Sequence, residues 1–386
     1  MHKDHKITFV MLWHISERGG GAEVQANYLA QELAERGYNV SYVCQTTKAS
    51  KVNTTSMVNG VNVLWLKPAN KFVWLNCKAY LKALKSLTPD IIIQRNSSPL
   101  LWASAQYKKK SSAKLIWVCT DNLAPFNNFF TKRYKARNNK KEVGFIKYSI
   151  FYINAVISDK LRNAAMKGVS RAFSQNEFQR LNIKKNFGLE SSKMISGHPT
   201  PENRSRELNV KGIKNILWCA NWGKHKRPEL FVNLARNMAD SKYNFIMIGG
   251  HSDKGYVDQL LKNCPKNLKV TGQLPFEEAL SYFNEASLFV NTSTPDGDGF
   301  PNTFIQSWLR GVPVLSFGFN PDEVITKNQL GFVVQSVEEA KDTCIQLLEN
   351  DKAIVNLSNG VSDYANKNHT VTVMTDHFIN TLSKNS

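Results

Sequence analysis

The chain has 386 residues, 42% of them hydrophobic, so it is long for one domain and can bury more than one core. Its 50 Lys and Arg against 31 Asp and Glu leave a formal net charge of +19, which points to phosphate-rich partners: nucleic acid, anionic lipid or nucleotide ligands. Cys44, Cys77, Cys119, Cys219, Cys264 and Cys344 are scattered without a CxxC pair, which argues against a disulfide framework and for free thiols in a reducing compartment. No run approaches the ~18 apolar residues of a membrane span, and Met1–Lys6 leads straight into a short strand, so neither secretion nor membrane insertion is expected.

Ile7 to Leu12 is a continuous apolar run of the kind found in a central parallel strand. A loop ending in Gly19, Gly20 and Gly21 follows, then a helix from about Ala22 with Ala26, Leu29, Ala30 and Leu33 inward and Gly37 as its stop, then a strand over Asn39–Cys44. Glycines at such a turn let backbone N–H groups approach a phosphate, but no GxGxxG dinucleotide fingerprint is present. Asp90–Gln94 and Lys114–Val118 are two further buried strands, followed by Arg95 and by Thr120 and Asp121. Open α/β sheets bind ligands beyond the carboxyl ends of their strands, so these three residues are candidates; a salt bridge or a helix cap is the alternative for Arg95 and Asp121.

Between Phe126 and Phe151, aromatic residues alternate with Lys132, Arg133, Lys135, Arg137, Lys140, Lys141 and Lys147, with a loop tip over 138–141 between two helical pieces. Basic and aromatic side chains interleaved suit an anionic membrane surface or single-stranded nucleic acid; a solvated basic loop with inward aromatics is the alternative. Arg171–Ser174 and Glu177–Phe187 form the next strand and helix. The polar stretch Ser196–Asn209, with Pro199 and Pro201, has the composition of an interdomain linker.

A second α/β series begins with a strand over Asn215–Ala220 and a basic loop over Asn221–Arg227, holding Lys224 and Lys226, before a helix opened by Pro228. Cations at a helix start oppose its dipole, so their presence there favours a role in binding an anion. Tyr243–Ile248 is a strand ending in Gly249. Leu288–Val290 is another, and its loop runs through Asp298, Gly299 and Phe300 to Pro301, expected as the first helical residue. Asn302, Thr303 and Gln306 lie on that helix, Gly311 ends it, and Val314–Phe317 and Gly331–Val334 return as strands. Free N–H groups at the helix start suit a diphosphate.

The stretch Asp298-Gly299-Phe300-Pro301-Asn302-Thr303, Gln306, Gly311-Val312-Pro313-Val314 resembles the signature of the family 4 retaining glycosyltransferases, which have the GT-B architecture. Gly20-Gly21-Ala22-Glu23 and Lys226-Arg227-Pro228-Glu229 match two more of that family's motifs, in the right order along the chain. Three positions depart from it: Asp298 stands for Glu, Gln306 for the second acid and Asn221 for a loop Arg.

The resemblance implies two Rossmann-like, doubly wound domains facing across a cleft. They cover 1–198 on the acceptor side and 210–366 on the nucleotide-sugar side, joined by a linker over 199–209, with a helix over 367–386 returning to the first. It implies transfer of a sugar from a nucleotide diphosphate sugar to a hydroxyl of a glycan or lipid-linked glycan, in cell-surface polysaccharide synthesis. The scattered thiols, the net charge and the basic-aromatic segment over Phe126–Phe151 make the expected place the cytoplasm, with peripheral attachment to the inner face of the membrane. Lys226 and Asp298 would be catalytic. Gly20, Gly21, Asn221, Lys224, Arg227, Gly249, Gly299, Phe300, Pro301, Asn302, Thr303 and Gln306 would bind the donor. Glu23, Arg95, Thr120 and Asp121 would face the acceptor. No cofactor or metal is expected, since protein cations take the metal's place in the family and Asp296-Gly297-Asp298 lies inside the acid motif; nor is a nucleic-acid partner. The alternatives are a nucleotide-sugar epimerase of the same shape, or a non-catalytic relative that binds nucleic acid or glycan.

Overall fold

The computed structural model describes residues 2–69, 71–138, 143–201, 214–240, 242–251, 253–294 and 298–384. The chain divides into two compact units, 1–195 with 371–386, and 196–370. Residues 202–209 of the expected linker, the loop tip at 139–141, Asp296 and Gly297 fall outside the described residues.

Among the described residues, unit one is built on eight strands: β1 Lys6–Trp13, β2 Asn39–Gln45, β3 Thr55–Val58, β4 Val61–Leu66, β5 Ile91–Arg95, β6 Lys114–Val118, β7 Arg171–Ser174 and β8 Ser191–Lys193. Their order is β3-β4-β2-β1-β5-β6-β7-β8, parallel except for the β3–β4 hairpin. Side chains alternate across a strand, and here both faces are covered. Ile7, Phe9 and Met11 of β1 enter one core with Ile91, Ile93 and Val118, while Val10 enters the other with Ile92, Leu115 and Trp117. That is why these strands read as unbroken apolar runs. The Val371–Ser383 helix belongs to this unit: Met374 and Phe378 are fully buried, and the Phe378 ring lies 5.4 Å from that of Phe173.

Among the described residues, unit two holds six parallel strands: β9 Lys214–Cys219, β10 Tyr243–Ile248, β11 Leu268–Gly272, β12 Ala286–Asn291, β13 Val314–Phe317 and β14 Gly331–Val334, in the order β11-β10-β9-β12-β13-β14. It too is covered on both faces, Trp218, Met247 and Val290 on one and Leu217, Ile246 and Phe289 on the other. The strand order turns at β9 and β12, which lie side by side but whose next strands run to opposite edges. Loops leaving the carboxyl ends of strands at such a switch point diverge and leave room for a ligand.

Two local details refine the expectations. Pro301 is not the first helical residue: its ψ of 128° is extended, its carbonyl accepts the first turn's bond from Phe304 N at 3.2 Å, and the helix runs Asn302–Trp308. Gly249, the residue after β10, has φ +122°, and a Cβ there would sit 1.9 Å from the carbonyl oxygen of Ala220, the residue after β9. Gly249→Ala is therefore expected to cost about 1–3 kcal/mol in strain and overpacking and to displace the loop that begins at Ala220. Denaturant unfolding together with nucleotide titration checks this; wild-type behaviour in both would show that the Ala220 backbone yields freely.

Candidate active site

The loops leaving β9 and β12 meet at the switch point of unit two. After β9 the chain passes the exposed Asn221 and a single 3-10 turn, Lys224–Lys226, on which Lys224 is exposed. Arg227 then adopts a left-handed φ of 44° before Pro228 starts the next helix. That conformation is uncommon for a residue with a Cβ, and the guanidinium secures it. Nε donates to the Thr292 carbonyl at 2.7 Å, and Nη2 donates to the carbonyls of Ser293 and Phe317 at 3.1 and 2.7 Å. Arg227 thus ties the first loop to the carboxyl ends of β12 and β13. The Thr294 amide donates to the His225 carbonyl at 2.8 Å, and the Thr292 hydroxyl accepts from Trp218 Nε1 at 2.8 Å and donates to the Lys226 carbonyl.

This stitching brings Lys226 and Asp298, 72 residues apart in the chain, into an ion pair. Lys226 Nζ also donates to Ser293 Oγ at 3.1 Å, and Ser293 Oγ donates to Asp298 Oδ2 at 3.1 Å. The side chains of Lys226 and Asp298 retain 19% and 25% of their exposure, so each remains reachable by a ligand. Burial alone would raise the Asp298 pKa, but the Lys226 charge, its hydrogen bond and that of Ser293 together hold the carboxyl below its ordinary value. The site therefore carries a carboxylate and a cation that are each other's partner. A ligand offering both an anion and hydroxyl groups satisfies the two at once.

The following segment is held from behind. Gly299 and Pro301 are buried, and the Phe300 ring stacks on His369 with centroids 5.3 Å apart. Asn302 hydrogen-bonds the imidazole of His198, whose pKa falls to about 3, first through burial and then through the Arg310 charge. The His198 amide donates to the His369 carbonyl at 2.9 Å. Thr303 is half-buried and Gln306 is buried on the Asn302–Trp308 helix.

In unit one, Gly20 is the N-cap of the Gly21–Glu35 helix, and Glu23 folds back over it, its carboxyl pKa raised by burial. Arg95 ends β5 fully buried, and burial pushes its pKa down to about 9. Thr120 is half-buried after β6. Asp121 accepts from the Leu123 amide at 2.7 Å and pairs with Arg133 at 3.2 Å. Glu23 and Arg95 thus lie beside the switch between β1 and β5 in this sheet. Among the described residues no group of three His, Cys, Asp or Glu side chains is placed to hold a metal ion.

Sequence reasoning passed over Ser293, Thr292, His198 and His369. Ser293 and Thr292 had one available signal, small hydroxyl residues directly after a strand. The two histidines had none, because His369 reaches Phe300 only through the fold.

Residues 213–350 match the family described as glycosyl transferases group 1, and residues 19–167 match Glycosyltransferase Family 4. No curated protein matches the chain. Among solved structures, HepE of Anabaena in complex with UDP and glucose is 14% identical at a TM-score of 0.72, covering 98% of this chain and 100% of that one. Sucrose-phosphate synthase of Thermosynechococcus elongatus is 13% identical at a TM-score of 0.74, covering 99% and 100%. WaaG, a glycosyltransferase involved in lipopolysaccharide biosynthesis, is 13% identical at a TM-score of 0.67, covering 96% and 98%. At these identities the likeness is one of fold, and the fold of this chain is GT-B.

Proposed function

We propose that this glycosyltransferase moves a sugar from a uridine diphosphate sugar to a hydroxyl of a glycan or lipid-linked glycan, with retention at the anomeric carbon. The observation that carries this is the Lys226–Ser293–Asp298 cluster at the switch point of unit two. The structures of HepE with UDP and with UDP-glucose support the choice of nucleotide. In this reading Lys226 binds the donor diphosphate and Asp298 bonds the sugar hydroxyls. Backbone N–H groups of Phe300 and Thr303, on either side of Pro301 and Asn302, serve the phosphates, and the Gln306 amide serves the ribose, for which a neutral group that both donates and accepts is adequate. Asn221 and Lys224 line the phosphate side. Glu23, Arg95, Thr120 and Asp121 of unit one serve the acceptor.

The bond between the anomeric carbon and the phosphate oxygen breaks as the acceptor oxygen bonds to the same face of that carbon. The acceptor's hydroxyl proton passes to the leaving diphosphate, so no enzymic nucleophile is required. Lys226 opposes the charge that grows on the departing phosphate. Incubation of radiolabelled UDP-sugars with the protein and a membrane extract tests the reading: label from one donor enters a glycan fraction. Release of free sugar or an epimerised nucleotide sugar, with no labelled glycan, would contradict it.

Peripheral attachment to an anionic membrane face is supported by one helix. On Phe145–Met166 the residues Phe145, Ile146, Ile150 and Ile153 are exposed at 64%, 75%, 49% and 57%, and Lys147 on the same helix and Lys132 and Lys135 on the Phe129–Arg137 helix packed against it are exposed too. Among the described residues no helix is long and apolar enough to cross a membrane. An apolar stripe flanked by lysines suits an interface with anionic headgroups. Each Lys near such a surface contributes about 1 kcal/mol, so reversing Lys132, Lys135 and Lys147 to Glu is expected to weaken binding to phosphatidylserine vesicles by about two decades or more. Unchanged sedimentation with vesicles would remove the attachment.

A further inference from the structure

The Phe129–Arg137 and Phe145–Met166 helices pack together, and a cavity of about 380 Å³ opens between them and Ser97, two residues beyond β5. Its walls are aromatic, with Phe129, Phe130 and Phe151, and Arg133 and Arg137 stand over it. The two arginines are one helical turn apart on the same face, an arrangement that costs stability unless an anion lies between them. Asp121 pairs with Arg133, but among the described residues Arg137 has no ion-pair partner. One carboxylate thus faces two guanidinium groups. Burial, and then the charge of Arg133, lowers the Arg137 pKa. One residue round the Phe145–Met166 helix from the cavity-lining Phe151 and Asn154, the exposed Ile150 and Ile153 begin the apolar stripe.

A phosphate ester supplies one to two negative charges and several acceptor oxygens, and guanidinium forks match it. An apolar chain leaving that phosphate has Phe130 and Phe151 beside it and then the isoleucine stripe. Inorganic phosphate, or a zwitterionic headgroup, uses only part of these features.

We propose that this cavity binds the phosphate-bearing head of an amphiphilic acceptor, with the phosphate on Arg133 and Arg137 and the first apolar atoms against Phe130 and Phe151. The assignment of the occupant as acceptor rests on the function proposed above. The two are separated by titrating two probes into the same protein.

Dihexanoyl phosphatidic acid, used below its micelle concentration, is titrated by calorimetry beside dihexanoyl phosphatidylcholine and inorganic phosphate, with UDP as the parallel arm. The expected result is binding of the phosphatidic acid at least ten-fold tighter than of either comparator. Arg137→Gln is expected to weaken it about ten-fold, the usual worth of one hydrogen bond to a charged group, while leaving UDP binding unchanged. Arg137 is the last residue of its helix and is exposed, so the variant is expected to fold, and Phe151→Ala is a second probe that should weaken the phosphatidic acid alone. Equal affinity for inorganic phosphate would overturn the amphiphile. An equal loss in Lys147→Gln would overturn the cavity in favour of diffuse surface charge. Failure of UDP to bind, with phosphatidic acid binding intact, would sink the transferase reading and leave a lipid site.

Discussion

Lys226→Ala is expected to lower the turnover number for sugar transfer by about 10²–10³, the usual cost of removing one preorganised electrostatic contact to a developing charge. The ammonium is placed by structure and not by chance. The turn that carries it is bonded to the loop after β12 through Thr292 and Thr294, and Arg227 closes the same junction through three carbonyls. Its charge meets the diphosphate in the ground state, but meets more charge as the glycosidic bond breaks. The loss should therefore fall more on kcat than on KM. Lys226→Arg, which keeps the charge but changes its shape and reach, should recover part of it. Steady-state kinetics with the donor found by the labelling experiment checks this, and full activity in Lys226→Ala would remove the ammonium from the reaction.

Asp298→Asn is expected to separate binding from transfer. In the free protein the carboxylate neutralises Lys226 and is held ionised by it. An incoming diphosphate meets an ammonium already occupied and a negative charge beside it. Replacing the acid with the amide removes that competition while preserving the size of the side chain, so UDP, which lacks the sugar to be transferred, should bind several-fold more tightly. Transfer should still fall by about 10² or more, because a charged acceptor for the sugar hydroxyls is lost. The opposite signs are the test. Weaker UDP binding would mean that the carboxylate supports the phosphate side, and retained transfer would mean that it does not serve the sugar.

Much of this was legible in the chain because parallel strands buried on both faces leave long apolar runs; β1, β5, β6 and β12 were found that way. The Asn59–Gly60 hairpin between β3 and β4 was not, although Asn-Gly is the strongest short-range hairpin signal and both residues have positive φ here. Its alternating, partly polar strands at the sheet edge lack the run that marked the others. At the site, Lys226 and Asp298 were each visible in a local motif, yet their pairing follows from β9 and β12 lying side by side, which no local pattern states. Pro301 was displaced by one position because its φ suits either the cap or the first helical residue, and only ψ distinguishes them. The backing of Phe300 by His369 and of Asn302 by His198 depends on residues that join the motif only after unit two has folded.

The most direct measurement is a calorimetric titration of UDP into the wild-type protein and into Lys226→Ala, at one salt concentration. The expected result is a single site in the wild type and at least a ten-fold loss of affinity in the variant, with the fold of both confirmed by thermal melting. Equal affinity in the two proteins, or no binding to either, would contradict the placement of the donor diphosphate at Lys226.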